Sequence, residues 1–325
     1  MTGLSDSFQR PINYLRISVT DRCNLRCIYC MPPQGVRLSP RSEILHYEEI
    51  QAVAQAAAAL DINKVRLTGG EPLVRSRLSH LVEILSQIEG IDDIALTTNG
   101  MLLKQHAAPL RQAGLRRVNV SLDTLKREKF HRITRHDKLG DVLDGIKAAK
   151  EAGLDPVKVN MVVIRGINDD EVLDFARLTI EQEWHVRFIE PMPFGIGEGI
   201  SFVPTGEIQE RLLSLGSLEP CLPSQGNGPA KYFRFEGTQG TVGFISPLSE
   251  HFCFNCNRLR LTVDGKLRPC LLSDEEVDLK NPLRRGASPD ELKGLIQQAV
   301  AQKPERHHLS EGVLPKGRAM CQVGG

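Results

Sequence analysis

The chain has 325 residues, 41% of them apolar and 25% charged, enough for a large core in one big domain or two ordinary ones. Its 41 Lys and Arg nearly balance 40 Asp and Glu, for a net charge of +1, so nothing argues for a broad nucleic-acid or anionic-membrane surface and any basic site must be local. No apolar run is long enough to span a bilayer, and residues 1–13 lack the apolar stretch of a signal peptide, so a cytoplasmic protein with reduced thiols is expected.

From residue 14 to 192, short β-branched runs alternate with longer helical ones. The pattern predicts strands over 14–20, 63–68, 93–98, 116–121, 157–163 and 184–190, and helices over 47–60, 78–88, 102–113, 142–152 and 171–181. Gly114 and Gly153 sit where a left-handed residue can close a last helical turn. Asn168-Asp169-Asp170-Glu171 has the spacing of a capping box. Strands alternating with helices predict parallel βαβ units. Six strands fall short of a closed eight-stranded barrel, and 205–215 reads as the last helix of the series.

After Gly216 the regularity stops, which places a domain boundary between 1–217 and 218–325. Residues 220–230, rich in Pro, Gly and Ser, read as a loop. Runs 231–236 and 241–246 predict a hairpin, and 258–263 another strand with Asp264-Gly265 as its turn. Ser288-Pro289-Asp290-Glu291 starts a helix that runs to about 302, and the tail from Pro304 has no periodicity. Residues 218–325 are therefore expected to be α+β. No repeat beyond the βα unit is visible.

The eight cysteines divide unevenly. Cys23, Cys27 and Cys30 form C-x3-C-x2-C just after the first strand, and Cys253, Cys256 and Cys270 form C-x2-C-x13-C. Cys221 and Cys321 read as ordinary thiols. Two triplets in a reducing compartment favour metal over disulfides. Three thiolates on one loop can hold three irons of a cubane and leave the fourth open. A zinc knuckle or redox dithiol is the plainer reading of the first triplet, but no histidine in its loop completes four ligands. A zinc site completed by His251 competes for the second.

In parallel βα architectures, reactive groups sit on loops after the carboxyl ends of strands. The first cysteine loop follows the first strand, and Thr68-Gly69-Gly70-Glu71-Pro72 follows the second. Residues two apart on a strand share a face. Arg16 and Ser18 share one, as do Lys64, Arg66 and Thr68; Lys158 and Asn160; and Arg258 and Arg260, with Arg187 in the sixth strand. Buried unpaired positive charge is costly, so a nearly neutral protein that repeats this pattern is expected to enclose a polyanion. Solvated edge strands are the competing reading for any single residue.

The full string Asp21-Arg22-Cys23-Asn24-Leu25-Arg26-Cys27-Ile28-Tyr29-Cys30-Met31-Pro32, taken with Gly-Gly-Glu-Pro, resembles the radical S-adenosylmethionine (radical SAM) enzymes. That resemblance implies a partial (β/α)6 barrel of the TIM type and, with the second triplet, a C-terminal α+β domain carrying a second Fe-S cluster. Cys23, Cys27 and Cys30 would hold a [4Fe-4S] cluster. Tyr29, Gly70, Ser121 and Met192 match positions that contact SAM.

The second triplet, the adjoining Arg258-Leu259-Arg260 and the terminal Gly324-Gly325 make the chain, from about residue 8 to its end, similar to the GTP 3′,8-cyclase family of molybdenum-cofactor biosynthesis. The resemblance implies a second [4Fe-4S] cluster on Cys253, Cys256 and Cys270 that meets guanine. Arg16, Arg66, Thr97, Lys158, Arg258, Leu259 and Arg260 match GTP-binding positions, and Lys64 and Arg187 would add phosphate contacts. Gly324 and Gly325 would reach into the active site. A 5′-deoxyadenosyl radical would remove the ribose 3′ hydrogen of GTP, and C3′ would then join C8. An external one-electron donor is implied, as is hand-off of product to cyclic pyranopterin monophosphate synthase; a homodimer is compatible. Val323 before the glycines and Leu25 in the first loop depart mildly from the family pattern. The other readings are a different radical SAM enzyme with an auxiliary cluster, or a zinc-binding protein without catalysis.

Overall fold

The computed structural model of the chain describes residues 3–192, 200–222, 227–311 and 313–324. The first part winds as alternating strands and helices: β1 (Tyr14–Ser18), α1 (Tyr47–Ala58), β2 (Lys64–Thr68), α2 (Leu78–Ser86), β3 (Asp93–Thr98), α3 (Leu103–Gln112) and β4 (Arg117–Ser121). Then come α4 (Arg127–Thr134), α5 (Leu139–Glu151), β5 (Val157–Val162), α6 (Val172–Glu181), β6 (His185–Ile189) and α7 (Thr205–Leu212). The remainder gives β7 (Leu218–Cys221), β8 (Lys231–Phe235), β9 (Thr241–Ile245), β10 (Arg258–Leu261), β11 (Lys266–Arg268) and β12 (Val277–Asp278). It closes with α8 (Lys280–Arg284), α9 (Pro289–Ala301) and the short α10 (Met320–Val323). No helix of the described residues is long and apolar enough to cross a membrane.

The strands form one sheet in the order β12-β11-β10-β1-β2-β3-β4-β5-β6-β9-β8-β7. β1 to β6 run parallel in chain order. The expected β8–β9 hairpin forms, but β9 also continues the parallel series beside β6, and β10 continues it beside β1. The C-terminal third thus extends both flanks of the first sheet, so the sheet is continuous across the expected boundary at 217. A period-two run reveals a strand but not the strand it will pair with.

One face of each parallel strand is apolar. Leu15, Ile17, Val65, Leu67, Leu96, Val118, Val159, Val186 and Leu259 are buried in a single core against the helices. Burying such a side chain is worth about 1.5–3 kcal/mol, and a one-residue slip would exchange every one of them for a polar neighbour. That fixes which side chains face the opposite way, into the hollow of the curved sheet.

Several local expectations are corrected. The Asn168 side chain does not cap a helix: it accepts from Ile164 N at 2.8 Å and donates to the Asp123 and Val162 carbonyls at 2.7 and 2.9 Å. Glu171, the other half of the expected box, instead accepts from Thr124 Oγ1 and Leu125 N. Tertiary partners outcompete the local ones. α4 lies where no helix is expected, because its eight residues are mostly polar and bury only Phe130, Ile133 and Thr134. The stretch 220–230, expected as loop, begins inside β7; its residues 223–226 lie outside the described residues. α10 stands in the tail where no helix is expected. Ser288, by contrast, caps α9 as predicted, accepting from Glu291 N at 3.2 Å, and Gly114 and Gly153 take φ +110° and +75° after α3 and α5.

Candidate active site between two cysteine groups

The inward faces of the strands line one cavity. Its cations are Arg16, Arg66, Arg117, Lys158, Arg187, Arg258 and Arg260; its carboxylate is Glu190, already occupied by Leu248 N, Ser249 N and Ser249 Oγ. Registry stacks the cations in rows: Arg16 lies between Arg260 and Arg66 across β10, β1 and β2, and Asn160 lies between Ser121 and Arg187 across β4, β5 and β6. Gly243, beside Arg187 on β9, has no side chain because a Cβ there would come 2.9 Å from Arg187 Cγ and 3.0 Å from Tyr232.

These charges are crowded. Arg66 donates to Tyr14 Oη and, at 3.2 Å, to Thr97 Oγ1; Lys158 reaches Tyr232 Oη at 3.3 Å; Arg117 pairs with Asp93. Arg187 Nε and Nη2 are buried with no hydrogen-bond partner. Burial and the charge of Arg260 push Arg16 well below its usual range. Burial, then Arg187, Arg117 and Arg66, bring Lys158 down to about 7. Burial and Arg258 bring Arg260 down to about 9. Mutual repulsion of buried cations, with buried donors left over, is the electrostatic signature of a polyanion site.

The first cysteine loop reaches this cavity through Tyr29. Cys27 O accepts from Cys30 N and Met31 N at 3.0 and 3.1 Å, which turns the loop tightly. Arg26 N and Ile28 N donate to the carbonyls of Thr134 and Ile133 at the end of α4, and left-handed Arg135 (φ +62°) donates to the Arg26 and Met31 carbonyls. Behind the loop lie Gly69 and Gly70. A Cβ on Gly70 would lie 2.8 Å from Asp21 O and closer still to the Arg22 backbone. The two glycines are therefore required by loop-on-loop packing, sealed by Gly70 N donating to Thr20 O and Glu71 N to Arg22 O. Burial pushes the Glu71 carboxyl up to about 7, although Asn99 N, Thr98 Oγ1 and Leu73 N all donate to it. Tyr29 lines the cavity and donates to Asp123 Oδ2 at 2.7 Å.

The second triplet borders the amino end of β10, whereas the first loop follows the carboxyl end of its parallel neighbour β1. Cys256 N donates to Cys253 O at 3.0 Å. Arg10, from the N-terminal segment, donates to the carbonyls of Cys253, Pro304 and Glu305, and buried Lys303 donates to those of Arg258 and Pro269. Arg258 Nη2 approaches Cys256 Sγ at 3.7 Å. Burial opposes ionisation of Cys256, but Arg258 and Lys303 bring its thiol down to about 6. His251 is hydrogen-bonded to His307 at 3.3 Å.

Both triplets have the donor chemistry of an iron–sulfur site: three sulfurs each, with N–H groups aimed at them, from Leu25 N to Cys23 and from Leu272 N to Cys270, both at 3.4 Å. Burial pushes Cys23 up to about 11 and Cys27 higher, so those thiols ionise in place only against a metal's charge. Among the described residues no three His, Cys, Asp or Glu side chains converge to the spacing of a single-ion site.

The tail runs along the cavity, with Met320 in its lining. Arg318 is paired with Asp264 and Glu276, and Val323 packs on Leu271. The Gly324 carbonyl accepts from Arg16 Nη2 at 2.9 Å, Thr68 Oγ1 at 3.2 Å and Arg260 Nη1 at 3.5 Å. Gly325 lies outside the described residues.

Of the residues singled out from the sequence, Arg16, Tyr29, Arg66, Thr97, Ser121, Lys158, Arg187, Met192, Arg258 and Arg260 line the one cavity. Lys64, at the amino end of β2, and Leu259, whose side chain is in the core, do not. Arg117 and Asn119 also line it, and the period-two argument applied to β4 would have found them. Tyr14 and Tyr232 line it as well; Asp123, Arg135 and Arg10 act from outside it through long-range contacts that leave no local signal.

Comparison with known proteins agrees with this layout. Residues 17–179 match the Radical SAM superfamily, and residues 184–309 match Molybdenum Cofactor Synthesis C. The chain is 55% identical to the GTP 3′,8-cyclase of Pelotomaculum thermopropionicum, over 99% of this chain and 100% of that one. It is 53% identical to that of Moorella thermoacetica, with the same coverage. Among solved structures, Streptococcus suis SuiB superposes with a TM-score of 0.61 at 14% identity, over 89% of this chain and 68% of that one, which is a likeness of fold.

Proposed function

We propose, from the premise that this chain belongs to the GTP 3′,8-cyclase family of radical SAM enzymes, that its cavity holds SAM at the first cysteine group and GTP at the second. The observation that carries this reading is shared lining: Tyr29 of the first cysteine loop and Phe252 and Arg258, beside the second triplet, face one hollow. Cys23, Cys27 and Cys30 would hold one [4Fe-4S] cluster, and Cys253, Cys256 and Cys270 a second. When bound, the first cluster with SAM supplies the one-electron chemistry that generates the radical for ribose C3′.

The chain's own work is to bind, orient and exclude water. Arg16, Arg66, Lys158, Arg187 and Arg260 offer converging donors to a triphosphate, and an anion there would relieve their repulsion. Arg258 stands between Cys256 and the cavity, where it can hold the base against the second cluster. Ser121, Gly70, Tyr29 and Met192 would contact SAM. Gly324 would meet the reacting nucleotide beside Arg16 and Arg260. Residues 1–217 supply the barrel and 218–325 the second ligand set and the tail. An external one-electron donor, a cytoplasmic setting, possible dimerisation and hand-off of product to cyclic pyranopterin monophosphate synthase complete the reading.

Anaerobic incubation with SAM, reductant and GTP, followed by mass analysis of the nucleotide, tests it. Cyclised dihydro-GTP together with 5′-deoxyadenosine is expected. Recovery of unchanged GTP alongside full SAM cleavage would refute the assignment of substrate.

A further inference from the structure

We propose that Tyr14 and Tyr232 are positioning residues for the triphosphate of GTP: their hydroxyls hold Arg66 and Lys158 in place without neutralising them. This rests on the reading of the cavity as a GTP site.

Both tyrosines line the cavity and are buried, at 4% and 9% exposure. Tyr14 starts β1, on the face it shares with Arg16. Tyr232 stands on β8 opposite Gly243, where the missing side chain makes room for its ring.

Tyr14 Oη accepts from Arg66 Nε, and the Arg66 guanidinium lies 5.8 Å from the centre of the Tyr14 ring. Nη1 of Arg66 donates to Thr97 Oγ1 at 3.2 Å and to the Leu96 carbonyl at 3.4 Å, so Nη2 remains for a ligand. Tyr232 repeats the arrangement from β8. Its Oη accepts from Lys158 Nζ at 3.3 Å, and its ring centre lies 5.0 Å from that nitrogen. An ammonium carries three donors, so one bond to a phenol does not exhaust it.

The chemistry of the holder matters. A carboxylate also fixes a cation, as Asp93 fixes Arg117, but its charge offsets the cation and repels a phosphate. A neutral phenol fixes the side chain and leaves its charge whole. Among the described residues the cavity's carboxylate is Glu190, which three donors already occupy. A cation held in advance also loses less side-chain entropy when the anion arrives.

The test uses full-length protein loaded anaerobically with iron and sulfide, and reads GTP and SAM affinities by calorimetry. Tyr14→Phe and Tyr232→Phe keep the ring and lose only the hydroxyl. Each is expected to weaken GTP binding about 3- to 10-fold, the loss of one hydrogen bond, and to leave SAM affinity unchanged. A hydroxyl that merely propped the cavity wall would move both affinities. Tyr232→Phe is also expected to cost nothing further in Lys158→Met, since its effect passes through that ammonium. Wild-type GTP affinity in both Phe variants overturns the proposal, as does an equal loss of SAM affinity or a full further loss in the Lys158→Met background. Should Tyr14→Phe fail to fold, Tyr232→Phe and its cycle with Lys158→Met still decide. Wild-type protein that binds SAM but no GTP refutes the substrate reading, and this proposal with it. Wild-type protein that binds GTP, with indifferent Phe variants, refutes this proposal alone.

Discussion

Thr68 Oγ1, at the carboxyl end of β2, donates to the carbonyl of Gly324 at 3.2 Å, and so ties the last described residue of the chain to the second strand of the sheet. Gly324 is left-handed, with φ +78°, and a Cβ there would come 2.9 Å from Thr68 Cγ2. In Gly324→Ala the clash and the left-handed strain, about 1–2 kcal/mol, both oppose seating. Cyclised product is expected to fall roughly 10-fold or more with the iron content unchanged. Product yield and iron per chain, measured on the same preparation, check this.

Arg258 and Arg260 share the inward face of β10, beside the second triplet. A charge-assisted hydrogen bond is worth about 1.5–3 kcal/mol, so Arg258→Ala and Arg260→Ala should each weaken GTP binding by roughly 10- to 100-fold. Reductive cleavage of SAM, which needs only the first group, should continue. Equilibrium binding of GTP and the yield of 5′-deoxyadenosine separate the two effects. Unchanged affinity in both variants contradicts the assignment.

Lys158 predicts a pH dependence. In the empty cavity its ammonium loses its proton near 7, because burial and then Arg187 disfavour the charge. A triphosphate favours the charged form, so binding above pH 7 takes up a proton, and affinity falls by up to ~10-fold per pH unit there. Below pH 7 the lysine is already charged and contributes no slope. Lys158→Met should bind more weakly and lose this limb, which calorimetry in buffers of different ionisation enthalpy detects. The folding linkage has its own sign: between about 7 and the unfolded value of 10.5, the unfolded chain holds the extra proton, so this residue makes stability rise with pH.

Gly70→Ala tests the packing of the two loops. The added methyl meets the backbone of Asp21 and Arg22, which cannot swing aside as a side chain would. Overpacking of this kind costs about 1–3 kcal/mol. The first cysteine loop is expected to move, with a lower melting temperature and loss of about half the bound iron, while the second triplet stays loaded. Full iron retention would show that the loop tolerates displacement.

Much of this protein was legible before any fold was known. The alternation of Leu15, Ile17, Val65 and Leu67 with Arg16, Ser18, Arg66 and Thr68 follows from the two-residue period of a strand, so the inward cations could be named from the chain alone. The two cysteine triplets are local in sequence, and so were their spacings. Tertiary structure decided what no local pattern carries. It chose β10 and β9 as outer partners of β1 and β6, which brings Phe252 and Arg258, beside the second triplet, to the cavity that Tyr29 of the first cysteine loop also lines. It supplied Arg135, Arg10 and Lys303 as clamps on the cysteine loops, and it tied an aperiodic tail to the sheet through the Gly324 carbonyl, which accepts from Arg16, Thr68 and Arg260. The physical reason is one of range. A strand's periodicity is imposed by its own backbone, whereas partner, register and clamp are set by contacts between residues tens to hundreds of positions apart.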